Sequence, residues 1–149
     1  MPTVFVDYSS FKMKLTNRAE YALLAMLTLT RIYIHRQKKY ITIHRIAQKN
    51  SIPKKFLEKI FADLSRAGYV ETQQGPKGGV RLAKHPKKIS IAKILREIDG
   101  PLAPVSSVSK LKYAPSPIER SKTLTFIFKR IRDIEHKILS STTFADLVT

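Results

Sequence analysis

The 149-residue chain contains no cysteine. That excludes a disulfide framework, a thiol nucleophile and any thiolate metal site. Acidic side chains are also scarce: Asp and Glu number 11 against 28 Lys and Arg, a formal net charge of +17. No stretch approaches the run of about 18 apolar residues that a membrane span requires, and the longest apolar segment, Tyr21 to Leu29, is interrupted by Thr28. The N-terminus lacks a basic start followed by an apolar core, so no signal peptide is expected. A cytoplasmic protein with no membrane partner is the expectation. The four histidines (His35, His44, His85, His136) form no i, i+4 pair and stand by no carboxylate motif, so no metal site is expected. Nothing has the pattern of a Ser-His-Asp triad or a catalytic carboxylate pair, and no enzyme is expected.

What is present is a hydrophobic fraction of 43%, ordinary for a chain that buries a core, together with the basic excess. Such an excess favours a polyanionic partner, nucleic acid above all. It is concentrated. Lys and Arg occupy positions 31, 36, 38, 39, 45, 49, 54, 55 and 59 against one acid, Glu58; positions 77, 81, 84, 87, 88, 93 and 96 are basic with no acid among them.

Residues 1–12 are aperiodic and read as a loose arm. Thr16 or Asn17 can cap a helix in which Ala19, Ala22, Leu23, Met26, Leu27, Thr30 and Ile34 share helical spacing, ending near Arg36. Thr42 can cap a second helix from Ile43 to Lys49. Asn50-Ser51-Ile52 turns the chain into a third, with Pro53 expected at its first helical position and Gly68 at its end. There Leu57, Ile60, Phe61 and Leu64 form the core face, with Lys55, Lys59 and Arg66 opposite. Strands Tyr69 to Gln73 and Val80 to Ala83 flank Gln74-Gly75-Pro76-Lys77-Gly78-Gly79, a hairpin with a glycine-rich tip. The tip is either a plain turn requiring positive φ or a phosphate-cradling nest; no Lys-Ser or Lys-Thr follows, so it is not a P-loop. Ser90 caps a fourth helix, Ile91 to Ile98, stopped by Gly100-Pro101. A Pro- and Ser-rich loop follows. Leu124, Ile127, Phe128, Ile131, Ile134 and Ile138 then mark a long amphipathic helix, closed by a turn from Thr143 to Val148.

A short helix, a turn, a second helix with a basic outer face and a hairpin together suit double-stranded DNA, because a helix fits the major groove by its diameter. The expected fold is mostly α with a small β-hairpin wing: a winged helix-turn-helix over 13–100, a loop over 101–121, and a dimerisation helix with its turn over 122–149.

These segments also carry a resemblance. Met13-Lys14-Leu15-Thr16-Asn17-Arg18-Ala19-Glu20-Tyr21-Ala22 resembles the opening of the Rrf-two family of bacterial winged-helix repressors. Ile52 to Ile60, Gly75-Pro76-Lys77-Gly78-Gly79, Gly100 to Val105 and the ending Ser141 to Leu147 are similar to that family's recognition helix, wing, linker and close. The resemblance implies homodimers that bind palindromic operators. The candidate DNA-binding residues are Lys14, Thr16, Thr42, His44, Arg45, Pro53, Lys54, Lys55, Lys59, Gln74, Lys77, Gly78, Gly79 and Arg81. The candidate dimerisation residues are Leu124, Ile127, Phe128, Ile131, Ile134 and Ile138. Many family members hold an iron–sulfur cluster on three cysteines between linker and long helix. Here Ser107, Ser116 and Ser121 stand near those positions, so no cofactor is expected in this chain. Either the chain is of a natural cluster-free branch, or the serines replace cysteines and only a form carrying those cysteines would bind a [2Fe-2S] or [4Fe-4S] cluster. The function expected is sequence-specific transcriptional regulation, as a repressor. The alternatives are a sequence-neutral nucleoid or RNA-binding protein and a module that recruits an acidic protein through its long helix.

Overall fold

A computed structural model describes residues 15–36 and 38–148; Lys14 and the expected arm over 1–12 lie outside the described residues. Five helices run in the order α1 (Asn17–Arg36), α2 (Ile43–Asn50), α3 (Lys54–Arg66), α4 (Ile91–Asp99) and α5 (Lys122–Ser141). Between α3 and α4 the strands β1 (Val70–Gln73) and β2 (Gly79–Leu82) form an antiparallel hairpin that pairs Val70 with Leu82 and Gln73 with Gly79. The core is built on α1. Ala19, Ala22 and Ala25 are fully buried there beside Met26 and Leu29, and small side chains on that face let α3 and α4 approach closely. Leu57, Ile60, Phe61 and Leu64 of α3 close the same cluster, as their spacing predicts.

Local chemistry sets the helix ends. The Thr16 hydroxyl accepts from the Ala19 amide at 3.1 Å, Thr42 from Arg45 at 3.3 Å, Ser90 from Lys93 at 3.3 Å and Ser121 from Leu124 at 3.2 Å. Each satisfies a backbone donor that the first helical turn leaves unpaired. Pro53 departs from the expectation by one residue. It stands at the N-cap in an extended conformation, φ −59° and ψ 128°, so α3 begins at Lys54. The reversal between α2 and α3 is made by Ser51 in the left-handed region, φ 53°. At the far end of α3 the amides of Gly68 and Tyr69 bond the carbonyls of Ser65 and Leu64, with Gly68 at φ 82°. This paired closure satisfies the last carbonyls and needs the left-handed region at Gly68.

The C-terminal turn belongs to the core. Phe144 is fully buried. Its amide donates to Ile89 O at 3.0 Å, the Ile91 amide donates to Thr142 O at 3.0 Å, and Ser90 and Thr143 form an antiparallel bridge. Asp146 holds the turn shut by accepting from the Thr143 amide at 2.8 Å and hydroxyl at 3.0 Å. Those bonds hold its carboxyl below the usual carboxylate range.

Helix α5 lies against α4 and against two short 3₁₀ turns of the preceding loop, Ser106–Val108 and Pro117–Arg120. Leu124, Ile127, Ile131, Ile134 and Ile138 are 37–58% exposed along its outer side. Phe128 is separated from this set. It is half-buried, on the same side of the helix as the half-buried Arg132 and Leu139, because positions 128, 132 and 139 fall on a face turned toward the chain's own α4 and loop.

Candidate nucleic-acid interface

The exposed face of α3 carries Lys54, Lys55 and Lys59. Lys54 Nζ lies 3.7 Å from Glu58, one turn on, whereas Lys55 and Lys59 make no ion pair among the described residues. Glu58 thus tempers Lys54 alone, and an exposed pair of this kind is weak. The helix is oriented by its back: beyond the apolar core, Asp63 pairs with both Arg18 of α1 and Arg66 of α3. A second polar link, from Asn50 Nδ2 to the Thr28 hydroxyl at 3.0 Å and Ile46 O at 3.0 Å, ties α2 to α1.

An open cleft separates α3 from the hairpin, with Thr42, His44, Lys54 and Gly75 on its walls. Ser65, Arg66, Thr72 and Gln73 also line it. They come from the end of α3 and from β1, and no sequence motif marks them as parts of one cleft. Gln74 and Lys77 at the hairpin tip are exposed.

Four candidates are held within the fold. Arg81 is engaged within the chain. Its Nε donates to Glu71 at 2.8 Å, another guanidinium nitrogen donates to Lys38 O at 2.9 Å, and the group stacks over Tyr40 at 4.3 Å. A planar guanidinium satisfies an acid, a carbonyl and an aromatic face together, so Arg81 clamps the wing to the segment entering α2. Gly78 and Gly79 are also structural. A Cβ on Gly78 would lie 2.1 Å from Gln73 O, and one on Gly79 (φ 137°) 2.2 Å from Ile41 O. The close approach exists because Ile41 and Val80 exchange backbone hydrogen bonds of 3.0 and 2.8 Å, which extend the hairpin by one bridge. The Thr16 hydroxyl, finally, both caps α1 and donates to Asp99 at 2.7 Å.

Gly79→Ala should lose both Ile41–Val80 bonds and about 2 kcal/mol or more of stability, at roughly 1 kcal/mol per bond plus the strain of positive φ. Gly75, at φ 99°, has no atom within 4 Å of a Cβ, so Gly75→Ala should cost about 1 kcal/mol. Urea unfolding of the two variants checks the difference; equal midpoints would contradict it.

A basic helix over an apolar core, a glycine-tipped wing at its side and a long helix with an outward apolar stripe define a winged-helix DNA-binding transcription regulator. The profile of the Rrf2 family, described as an iron-dependent transcriptional regulator, matches residues 15–149. The chain belongs to the Rrf2 family. It is 33% identical over 138 residues to the HTH-type transcriptional regulator NsrR of Geobacillus kaustophilus, covering 91% of this chain and 90% of that one. To the regulator CymR of Bacillus subtilis it is 29% identical over 137 residues, covering 92% and 91%. The solved structure of that CymR, described as the global cysteine regulator, superposes with a TM-score of 0.70, covering 91% of this chain and 95% of that one. These relatives are regulators and not enzymes.

The family's iron dependence can be tested on the residues present. Ser107 and Ser116 hydrogen-bond to one another at 2.5 Å, and Ser107 is buried. Ser121 caps α5. Hydroxyls are hard donors that stay protonated, whereas iron–sulfur clusters are held by soft thiolates. The chain has no cysteine, and no three His, Asp or Glu converge among the described residues. The residues do not fit the cluster.

Proposed function

We propose that the chain is a homodimeric repressor that recognises a palindromic operator without an iron–sulfur cluster. Helix α3 enters the major groove with Pro53, Lys54, Lys55 and Lys59 leading. The start of α2, with Thr42, His44 and Arg45, meets the backbone, and the wing tip brings Gln74 and Lys77 to a flanking groove. The observation that carries this reading is the cleft, which Lys54 at the start of α3, His44 of α2 and the glycine-tipped wing line together, with Lys55 and Lys59 exposed on the same helix. Bound there, the dimer represses by occupying its operator. The five exposed aliphatic residues of α5 supply the dimer contact, and Lys14 joins the DNA-facing set from beyond the described residues.

The test is selection of bound genomic fragments, followed by binding measurements on the selected duplex at several salt concentrations. A specific regulator should prefer its operator by about 10³ or more over unrelated duplexes; affinities within a few fold would favour the sequence-neutral reading. Lys77→Gln should weaken all sequences alike and reduce the salt slope by about one unit. Lys55→Gln should relax base preference at one position, at about 1–3 kcal/mol. An unchanged salt slope for Lys77→Gln, with unchanged base preference for Lys55→Gln, would refute the placement.

A further inference from the structure

A cavity of about 180 Å³ lies where α4, the linker, the loop and α5 meet, with the room of roughly six waters. Its charge is uneven. Arg96 from α4, Lys110 from the loop and Arg132 from α5 line it, and Asp133 is the one carboxylate among its lining residues. Asp133 is already shared: Arg132 reaches it at 2.8 Å and Lys110 at 3.8 Å. The hydrogen bond from Arg132, with the nearby charges of Arg132 and Lys110, holds its carboxyl below the usual range. Arg132 is firmly placed, its side chain 12% exposed and donating to Val108 O at 2.7 Å. Arg96 has no carboxylate partner among the described residues and donates to His136 Nδ1 at 2.8 Å. A guanidinium whose partner is a ring nitrogen keeps N–H donors free for a planar oxyanion. The remaining wall is apolar, from Pro101, Leu102 and Leu111.

We propose that this cavity binds a small carboxylate with a short apolar body, its carboxylate on Arg96 and Lys110 and its body against Leu102 and Leu111. The surplus cations supply the attraction; the site is open to solvent at Lys110 and Leu111, and its small apolar wall matches a short body. The site is separate from the dimer stripe. At about 100° per residue, positions 132, 133 and 136 fall on the side of α5 opposite 127, 131 and 134. A bound carboxylate would tie α4 to α5 and bias the angle between the DNA-binding unit and the dimer helix, so ligand and operator affinities would be coupled. The coupling rests on the function proposed above; binding itself does not, and it is measured without DNA.

The experiment titrates the full chain with butyrate, isovalerate, succinate and inorganic phosphate, following amide chemical shifts and heat. Saturable binding of at least one carboxylate is expected, with shifts centred on residues 96–102, 109–111 and 132–136. Arg96→Gln and Lys110→Gln should each weaken it about ten-fold or more, the scale of a lost hydrogen bond to a charged group, while the far-UV spectrum stays unchanged. Saturation should also shift operator affinity. No carboxylate binding tighter than about 10 mM, binding by phosphate alone, or equal binding by both variants would overturn the site. Binding without any change in operator affinity would overturn the coupling.

Discussion

The double variant Ile131→Glu, Ile134→Glu should sediment as a monomer at micromolar concentration, where the unmodified chain should sediment as the proposed dimer. It should lose about 100-fold or more in affinity for a two-half-site operator while its affinity for a single half-site changes little. The geometry sets the size of the effect. Leu124, Ile127, Ile131, Ile134 and Ile138 repeat at alternating intervals of three and four and remain 37–58% exposed. That alternation is the a/d seam of a helix that packs against another along its length. A carboxylate forced into such a seam without a partner must be desolvated at high cost. When the seam fails, the second half-site is no longer bound intramolecularly, and linkage of this kind contributes 10²–10⁴ in affinity. Phe128 is left out of the variant because it packs toward its own subunit, where a charge would disturb the fold as well. A monomeric unmodified chain at micromolar concentration would refute the dimer.

Phe144→Ala should lower stability by about 3–5 kcal/mol, the range for removing a buried aromatic side chain, and the melting temperature by roughly 10 °C or more. Phe144 has no exposed surface; its own amide donates to Ile89 O, and the Thr142 carbonyl accepts from the Ile91 amide. The cavity left cannot collapse unless that bridge breaks. Thermal and urea unfolding measure the loss; a change under about 1 kcal/mol would show that the turn is dispensable.

Most of the regular structure is legible in the sequence because its causes are local. Thr42 and Ser90 are capping hydroxyls at the foot of apolar periodicities, and Leu57, Ile60, Phe61 and Leu64 keep helical spacing whatever packs on them. What escaped depends on residues distant in the chain. Arg81 has the spacing of a wing-tip cation, and only the approach of Lys38 and Tyr40 shows its guanidinium already bonded. Phe128 fits the outer stripe by interval alone; which side of α5 is covered depends on where α4 lies. Gly78 and Gly79 could be read as a plain turn or as a phosphate nest. The carbonyls of Gln73 and Ile41 give them a steric reason that no hairpin template contains. Phe144 sits in a short, unperiodic tail, and its burial depends on a groove beside Ile89. The cavity at Arg96 draws on four segments and leaves no pattern in any of them.

The docking of Phe144 also bears on how the molecule folds. Residues 15–100 carry every element of the DNA-reading unit, yet that unit is completed by bonds between Ile89 or Ile91 and Thr142 or Phe144, more than fifty positions further along the chain. Contacts so far apart in sequence raise contact order and slow a chain that would otherwise fold with the speed of local helices. If the hairpin and α1 to α4 assemble first, the place beside Ile89 that Phe144 fills is apolar and open until the turn after α5 docks. During that interval the open groove and the bare stripe of α5 are exposed together, and the slow step in refolding should be the one that closes the first.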